Sequence, residues 1–233
     1  MPSVCFTPIG GSHMRVIKLD ACGTVLTGGS SCKVITSGFV RVSRTAEYED
    51  ADEFIVKNAN GDICVNERTA PILKWINIEA EFCQVDPELF TLMTGSPAVM
   101  NDAGTPAQVG FRTREGVITT VNFGLEVWTR MSGASACSGG VLTYGYALWP
   151  WVVQGTIADY AFENGPISFT VNARTKPGSL WGTGPFNIRL TEVGSTPAKL
   201  ISAITATDHE HFQLTKLAPP AAVCGCQTVT PDA

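Results

Sequence analysis

The chain has 233 residues, of which 44% are hydrophobic and only 16% charged, against a usual charged share of about 25%. It is long enough to bury a sizeable core and too apolar for a disordered tail. With 16 Lys and Arg against 21 Asp and Glu, the net charge is -5. That excludes a strongly basic nucleic-acid binder, because neutralising phosphate requires a positive surface.

Ser, Thr, Gly and Asn replace the missing charges, and 23 Gly with 14 Pro supply turns, a mix that favours strands over helices. Met1 to Gly10 holds no Lys or Arg and no apolar block of signal-peptide length, so synthesis and assembly in a cytoplasm are expected. Gly11-Ser12-His13-Met14 matches an expression-tag scar, but native-looking sequence precedes it and it is read as natural. The most apolar run, Ala147 to Val153, is short and broken by Pro150. A bilayer span needs about 20 apolar residues, so no membrane partner is expected.

In chain order, Lys33 to Glu47 reads as one long strand, or as two joined by a bend at Gly38. An acidic run follows: Glu47, Glu49, Asp50, Asp52 and Glu53. It lacks the fixed Gly and distal Glu of a calcium loop. A solvated loop or a charged contact in an assembly remains. Asn60-Gly61, between Phe54–Ala59 and Asp62–Asn66, predicts a two-residue hairpin. From Lys74 to Cys83, Ile76, Ile78, Ala80 and Phe82 alternate with Trp75, Asn77, Glu79 and Glu81, the pattern of a half-buried strand.

Asp86-Pro87-Glu88 then supplies an N-cap acceptor, a proline at the first helical position and an acid in the first turn. Leu89, Leu92 and Met93 share a face, and Gly95 ends the helix. Further alternating strands are expected over Thr119 to Val127, with Thr120, Asn122 and Glu126 on the polar side, and over Ile167 to Arg174. Between them, Met131 to Gly140 is rich in small residues and reads as an exposed flexible loop. Pro150 disturbs a strand over Val141 to Gln154 and suits an edge or a bulge. The expected fold is mainly β: a β-sandwich or partly closed barrel with one short flanking α-helix, about Asp86 to Thr94. It divides into an N-terminal arm (1–14), a single β domain (15–217) and an irregular tail (218–233).

Catalytic motifs are missing from the sequence, and no nucleophile, base and orienting group assemble, so a non-enzymatic role without a cofactor is expected. Cys5, Cys22, Cys32, Cys64, Cys83 and Cys137 are scattered and read mostly as buried thiols. His209-Glu210-His211 with Cys224-Gly225-Cys226 leaves three states open: a zinc set, a disulfide, or free side chains. Trp149, Trp151 and Trp181 are either core or a sugar-binding platform.

Several of these pieces occur together in a recognisable order. Asn60-Gly61-Asp62 is followed by Cys64-Val65-Asn66-Glu67, the amphipathic stretch Leu73 to Val85, and the Asp86 to Thr94 helix closed by Gly95. Glu126-Val127-Trp128, Pro150-Trp151, the His-rich Asp208 to Lys216 and Pro219-Pro220 complete it. In this order they resemble the major tail proteins (tail tube proteins) of long-tailed bacteriophages, especially those of actinobacterial hosts. The resemblance spans roughly residues 15–227. It implies a sandwich or partly closed barrel whose subunits form stacked hexameric rings in a virion tail, with genomic DNA passing through the lumen. The implied partners are further copies of the chain and other tail proteins at the tube ends. Cys224-Gly225-Cys226 departs from what the family requires. On this reading Glu47, Glu49, Asp50, Asp52 and Glu53, with Met131, Ser132, Ser135 and Ser138, are interface candidates. Glu79 and Glu81 are lumen candidates, since an acidic wall repels phosphate. The alternative is a carbohydrate- or protein-binding β-sandwich of a virion or cell surface.

Overall fold

The computed structural model describes residues 6–115, 121–138, 141–162, 164–165, 167–191 and 195–233. Its strands in chain order begin with β1 (Pro8–Lys18), β2 (Lys33–Thr36), β3 (Phe39–Tyr48), β4 (Glu53–Lys57), β5 (Ile63–Arg68) and β6 (Leu73–Phe82). The helix α1 (Pro87–Thr94) follows, then β7 (Ala98–Met100), β8 (Gln108–Phe111) and β9 (Asn122–Met131). The remainder are β10 (Cys137–Ser138), β11 (Val141–Leu142), β12 (Tyr144–Ile157), β13 (Phe169–Thr175), β14 (Arg189–Leu190), β15 (Pro197–Ala198), β16 (His211–Thr215) and β17 (Val223–Gln227). The protein is mainly β, with antiparallel sheets in a sandwich-like arrangement and α1 as its α-helix among the described residues. None of those residues forms a helix long and apolar enough to cross a membrane.

The main sheet runs β17-β2-β1-β9-β12-β13-β6-β3, with β16 paired to β12 off that path. The expected bend at Gly38 is real and has a large consequence. It sends β2 and β3, joined by two residues, far apart in the order, β3 to one end and β2 next to β17 at the other. The sheet therefore curls back toward itself, and among the described residues no ladder from β3 to β2 closes a barrel.

Helix α1 forms as its sequence dictates. The Asp86 carboxylate accepts from the Glu88 and Leu89 N–H groups, and Gly95 ends the helix in the left-handed region at φ 72°. Phe90, together with Leu89, Leu92 and Met93, is buried. Its ring stacks on Phe111 and meets the edges of Phe82 and Phe169 at centroid distances of 5.3, 5.6 and 5.8 Å. The far end of the helix lies against β12 at Gly155. A Cβ there would overlap the Met93 carbonyl oxygen, so glycine alone allows this approach.

Two hydrophobic clusters sandwich the central strands. Met14, Val16, Phe123, Leu125, Val127, Trp149 and Val152 point to the α1 side. Ile17, Trp128, Tyr146, Leu148 and Trp151 point to the other side, under Trp181, Phe186, Ile188, Leu200 and Ile204. Strands β1, β9 and β12 are thus buried on both faces, where the sequence pattern predicted a polar side for β9. Glu126 is consequently 1% exposed. Arg15 Nη2 donates to Glu126 Oε1 at 2.7 Å, Arg15 Nε donates to Oε2, and the Tyr146 hydroxyl donates to Oε1 at 2.6 Å. The Arg15 guanidinium also lies 3.9 Å above the Phe186 ring. Burial, then the Glu126 charge, pushes the Tyr146 hydroxyl well above its usual pKa.

Of the two places expected for Pro150, an edge or a bulge, the structure shows an irregularity inside the sheet: β12 pairs β16 over Tyr144–Leu148 and β13 over Val152–Ile157. Proline sits where the strand changes neighbours and an irregularity interrupts its ladder with β9, so the missing N–H costs no ladder bond. Three other expectations change. Residues 8–14 of the expected arm belong to β1, and Met14 is fully buried. The C-terminal tail is not irregular throughout, because β17 pairs β2 and Val229 is 1% exposed. Cys22, Cys64 and Cys83 are exposed thiols, not buried ones, and Cys32 is bonded to Cys226. Thr119, Thr120, Gly116 and Pro166, where strand and turn positions were expected, lie outside the described residues.

Candidate functional site: a polar sheet face and an exposed arm

Strands β3, β6 and β13 present one face to solvent. Register places Arg41 beside Glu81, Ser43 beside Glu79, Thr45 beside Asn77 and Glu47 beside Trp75. On the other flank Thr170, Asn172 and Arg174 lie beside Glu81, Glu79 and Asn77. Side chains of one register row share a face, so the polar half of the period-two pattern in β6 becomes a continuous surface. Arg174 caps the Trp75 ring at 4.9 Å, and Asn77 Nδ2 donates to Glu47 Oε1 at 3.1 Å. Arg41 lies between the two candidate carboxylates, 2.5 Å from Glu79 and 3.7 Å from Glu81. Glu79 and Glu81 therefore share one partially exposed cation, an arrangement worth little in stability because solvent screens it. Glu47, Glu79 and Glu81 against Arg41 and Arg174 leave the face weakly acidic.

Between β3 and β6 the chain extends an arm. The ladder continues past Tyr48–Leu73 through Glu49 N–H to Ile72 O at 2.7 Å and Thr69 N–H to Asp52 O at 2.9 Å. The acidic run is thus the base of a hairpin. Strands β4 and β5 form the arm itself, and every residue from Asp52 to Ile72 is exposed. The expected reversal at Asn60-Gly61 is present, but the loop between paired residues runs from Asn58 to Asp62. It is longer than two residues because the Asn58 carboxamide oxygen accepts from both Asn60 and Asp62 N–H groups.

Alternation gives the arm an apolar side. Phe54 and Val56 on β4 share a face with Val65 on β5, at exposures of 56, 54 and 41%, with Glu67 opposite Phe54, while Ile63 pairs with Lys57 beyond a register shift. The sequence predicts the hairpin but not that, among the described residues, this side stays exposed.

The other candidates are scattered. Met131 closes β9 and is buried at 6%, so it is not part of an exposed loop. The Ser132 N–H donates to the Thr7 carbonyl at 2.9 Å. Gly139 and Gly140 and the side chains of Ser135 and Ser138 lie outside the described residues. Trp149, Trp151 and Trp181 are each 5% exposed, which removes the sugar platform they offered on paper. His211 Nε2 meets Gln213 Oε1 at 3.1 Å, while His209 is buried against Thr175. Among the described residues no three His, Cys, Asp or Glu side chains gather to hold a metal ion, so the zinc set is not assembled.

Thr175 Oγ1 accepts the Ile76 N–H at 2.9 Å and shares a hydrogen bond with His209 Nδ1 at 2.7 Å. Burial lowers the His209 pKa below its usual 6.5, and burial followed by Arg130 does the same to His13. The unfolded chain therefore binds the proton first, and stability falls as pH drops through 6.5. Denaturant titrations between about pH 5 and 7 should show this slope, and His209→Gln should flatten it. An unchanged slope would place the effect elsewhere.

Comparison with known protein families and with curated proteins found no match for this chain.

Proposed function

We propose that the protein is a structural subunit that assembles with copies of itself into stacked rings, forming the tail tube of a long-tailed phage. The observation that supports self-assembly is the arm from Glu49 to Ile72. An isolated two-stranded hairpin is marginal in water, and this one exposes Phe54, Val56 and Val65 on one side. A neighbouring subunit that covers this side supplies the missing core, and the acidic base beside it sets the charge of the contact. The motif order described above supports the choice of a phage tail.

On this reading the polar face of β3, β6 and β13 is the surface turned to passing DNA. Glu79 and Glu81 share Arg41, and Arg174 caps Trp75, so the wall offers phosphate few free cations and does not hold it. Ring assembly multiplies the -5 of each subunit.

The test is direct. Purified protein at rising concentration, followed by sedimentation and negative-stain microscopy, is expected to give rings and then tubes. A monomer at every concentration overturns the proposal.

A further inference from the structure

The C-terminal strand carries chemistry that assembly does not use. Cys226 in β17 is bonded to Cys32, which directly precedes β2, and the two are 194 residues apart in sequence. Two residues upstream, Cys224 is a free, exposed thiol. Gly225 lies between them in the left-handed region at φ 83°. Glycine adopts that conformation without a Cβ clash, so the backbone turns between the two cysteines.

The pairing of β17 is thin. Only Val223–Ile35 and Gln227–Lys33 are in register with β2, with an irregularity between them. The residues between are held instead by the start of α1. The Gly225 N–H donates to Asp86 Oδ2 at 2.7 Å, and the Cys226 N–H donates to Glu88 Oε2. Beyond β17 the chain is anchored again: Val229 is buried and its N–H donates to Ser31 Oγ at 2.9 Å. The strand is a short strap between fixed points, tied covalently to β2 at one sulfur.

We propose that Cys224 and Cys226 form an exchange site that unfastens this strap. The Cys224 thiolate attacks Cys226 Sγ. A Cys224–Cys226 bond forms, the Cys32–Cys226 bond breaks, and its electron pair leaves on Cys32 Sγ, which takes a proton from water. One disulfide is exchanged for another, so no outside oxidant or reductant enters the balance. The attack is intramolecular over two residues, where effective concentrations reach the millimolar range or above. The product leaves β17 held by its two backbone pairs with β2 and by the Asp86, Glu88 and Ser31 contacts, without the covalent tie, so the Lys33–Thr36 edge that it covers opens more readily.

The experiment maps the cysteines of the purified, oxidised protein. It is held without reductant at about pH 8.5, where free thiols are substantially ionised, quenched in acid, unfolded and alkylated. Peptide mass mapping is expected to find alkylated Cys32 together with a Cys224–Cys226 disulfide. In Cys224→Ser, Cys32 labelling should fall about tenfold or more and the Cys32–Cys226 peptide pair should persist. Cys83→Ser, which removes another exposed thiol on a segment contacting Cys224 through Gln84, should behave as the wild type. Hydrogen exchange at Val34 to Thr36 should quicken in step with Cys32 labelling. Unlabelled Cys32 in the wild type overturns the proposal, as does equal labelling in Cys224→Ser or the absence of a Cys32–Cys226 pair at the start.

Discussion

Replacing Glu126 with Ala should cost about 3–5 kcal/mol of stability, read as a drop in the denaturant midpoint at constant slope. The size follows from what is left behind. Arg15 is 4% exposed and would keep its charge with no carboxylate beside it. Tyr146 would keep a buried hydroxyl whose acceptor had gone. The Phe186 and Trp128 faces attract the guanidinium, but cation–π contacts of about 0.5–2 kcal/mol do not replace a charge-assisted pair. Removing both charges together, as Arg15→Met with Glu126→Leu, should be milder than Glu126→Ala alone, because nothing charged is then stranded. A loss below about 1 kcal/mol for Glu126→Ala would mean that water reaches Arg15, and that the segments around Phe186 do not seal this side of the sheet.

The same residues show where sequence reasoning stopped. Helix α1 was legible because its signals are local: a cap, a proline, an acid and a terminal glycine within ten positions. Strands β6 and β13 were legible because they have one wet face, and alternation reports that directly. In β9 it misled, since Glu126 occupies a position that looks solvent-facing. The cover comes from Trp181, Phe186, Ile188, Leu200 and Ile204, whose surrounding sequence has no periodicity to announce them. A signal did exist in the continuous apolar run Ala147 to Val153. A strand apolar at every position is buried on both faces, and its neighbour is then buried too. The Cys32–Cys226 bond was beyond reach, because a spacing of 194 residues carries no geometric information. For the candidate site, the acidic run and the hairpin were legible, while Arg41 between Glu79 and Glu81 depended on the β3–β6 register.

Phe54→Asp combined with Val65→Asp should abolish self-assembly and leave the subunit folded. Both side chains project from the arm into solvent and sit on its apolar side two register rows apart, diagonal to one another. Surface changes of this kind usually alter stability by no more than about 0.5 kcal/mol, so the subunit should unfold at nearly its wild-type midpoint. In an assembled contact the balance differs. Burying an aliphatic or aromatic side chain contributes about 1.5–3 kcal/mol, and an aspartate in the same place must instead be stripped of water without a partner. Losing two such contacts amounts to about 3–6 kcal/mol per arm, roughly two to four decades in the concentration needed to assemble. The acidic base strengthens the effect, since Asp52 and Glu53 already lie at the foot of β4 and two further negative charges repel a neighbour with the same base. Sedimentation should then show a monomer at concentrations where the wild type forms large particles. If the double variant assembles at the wild-type concentration, the arm is not the contact, and the cover for another exposed apolar site, such as Tyr160 with Phe162, must be sought instead.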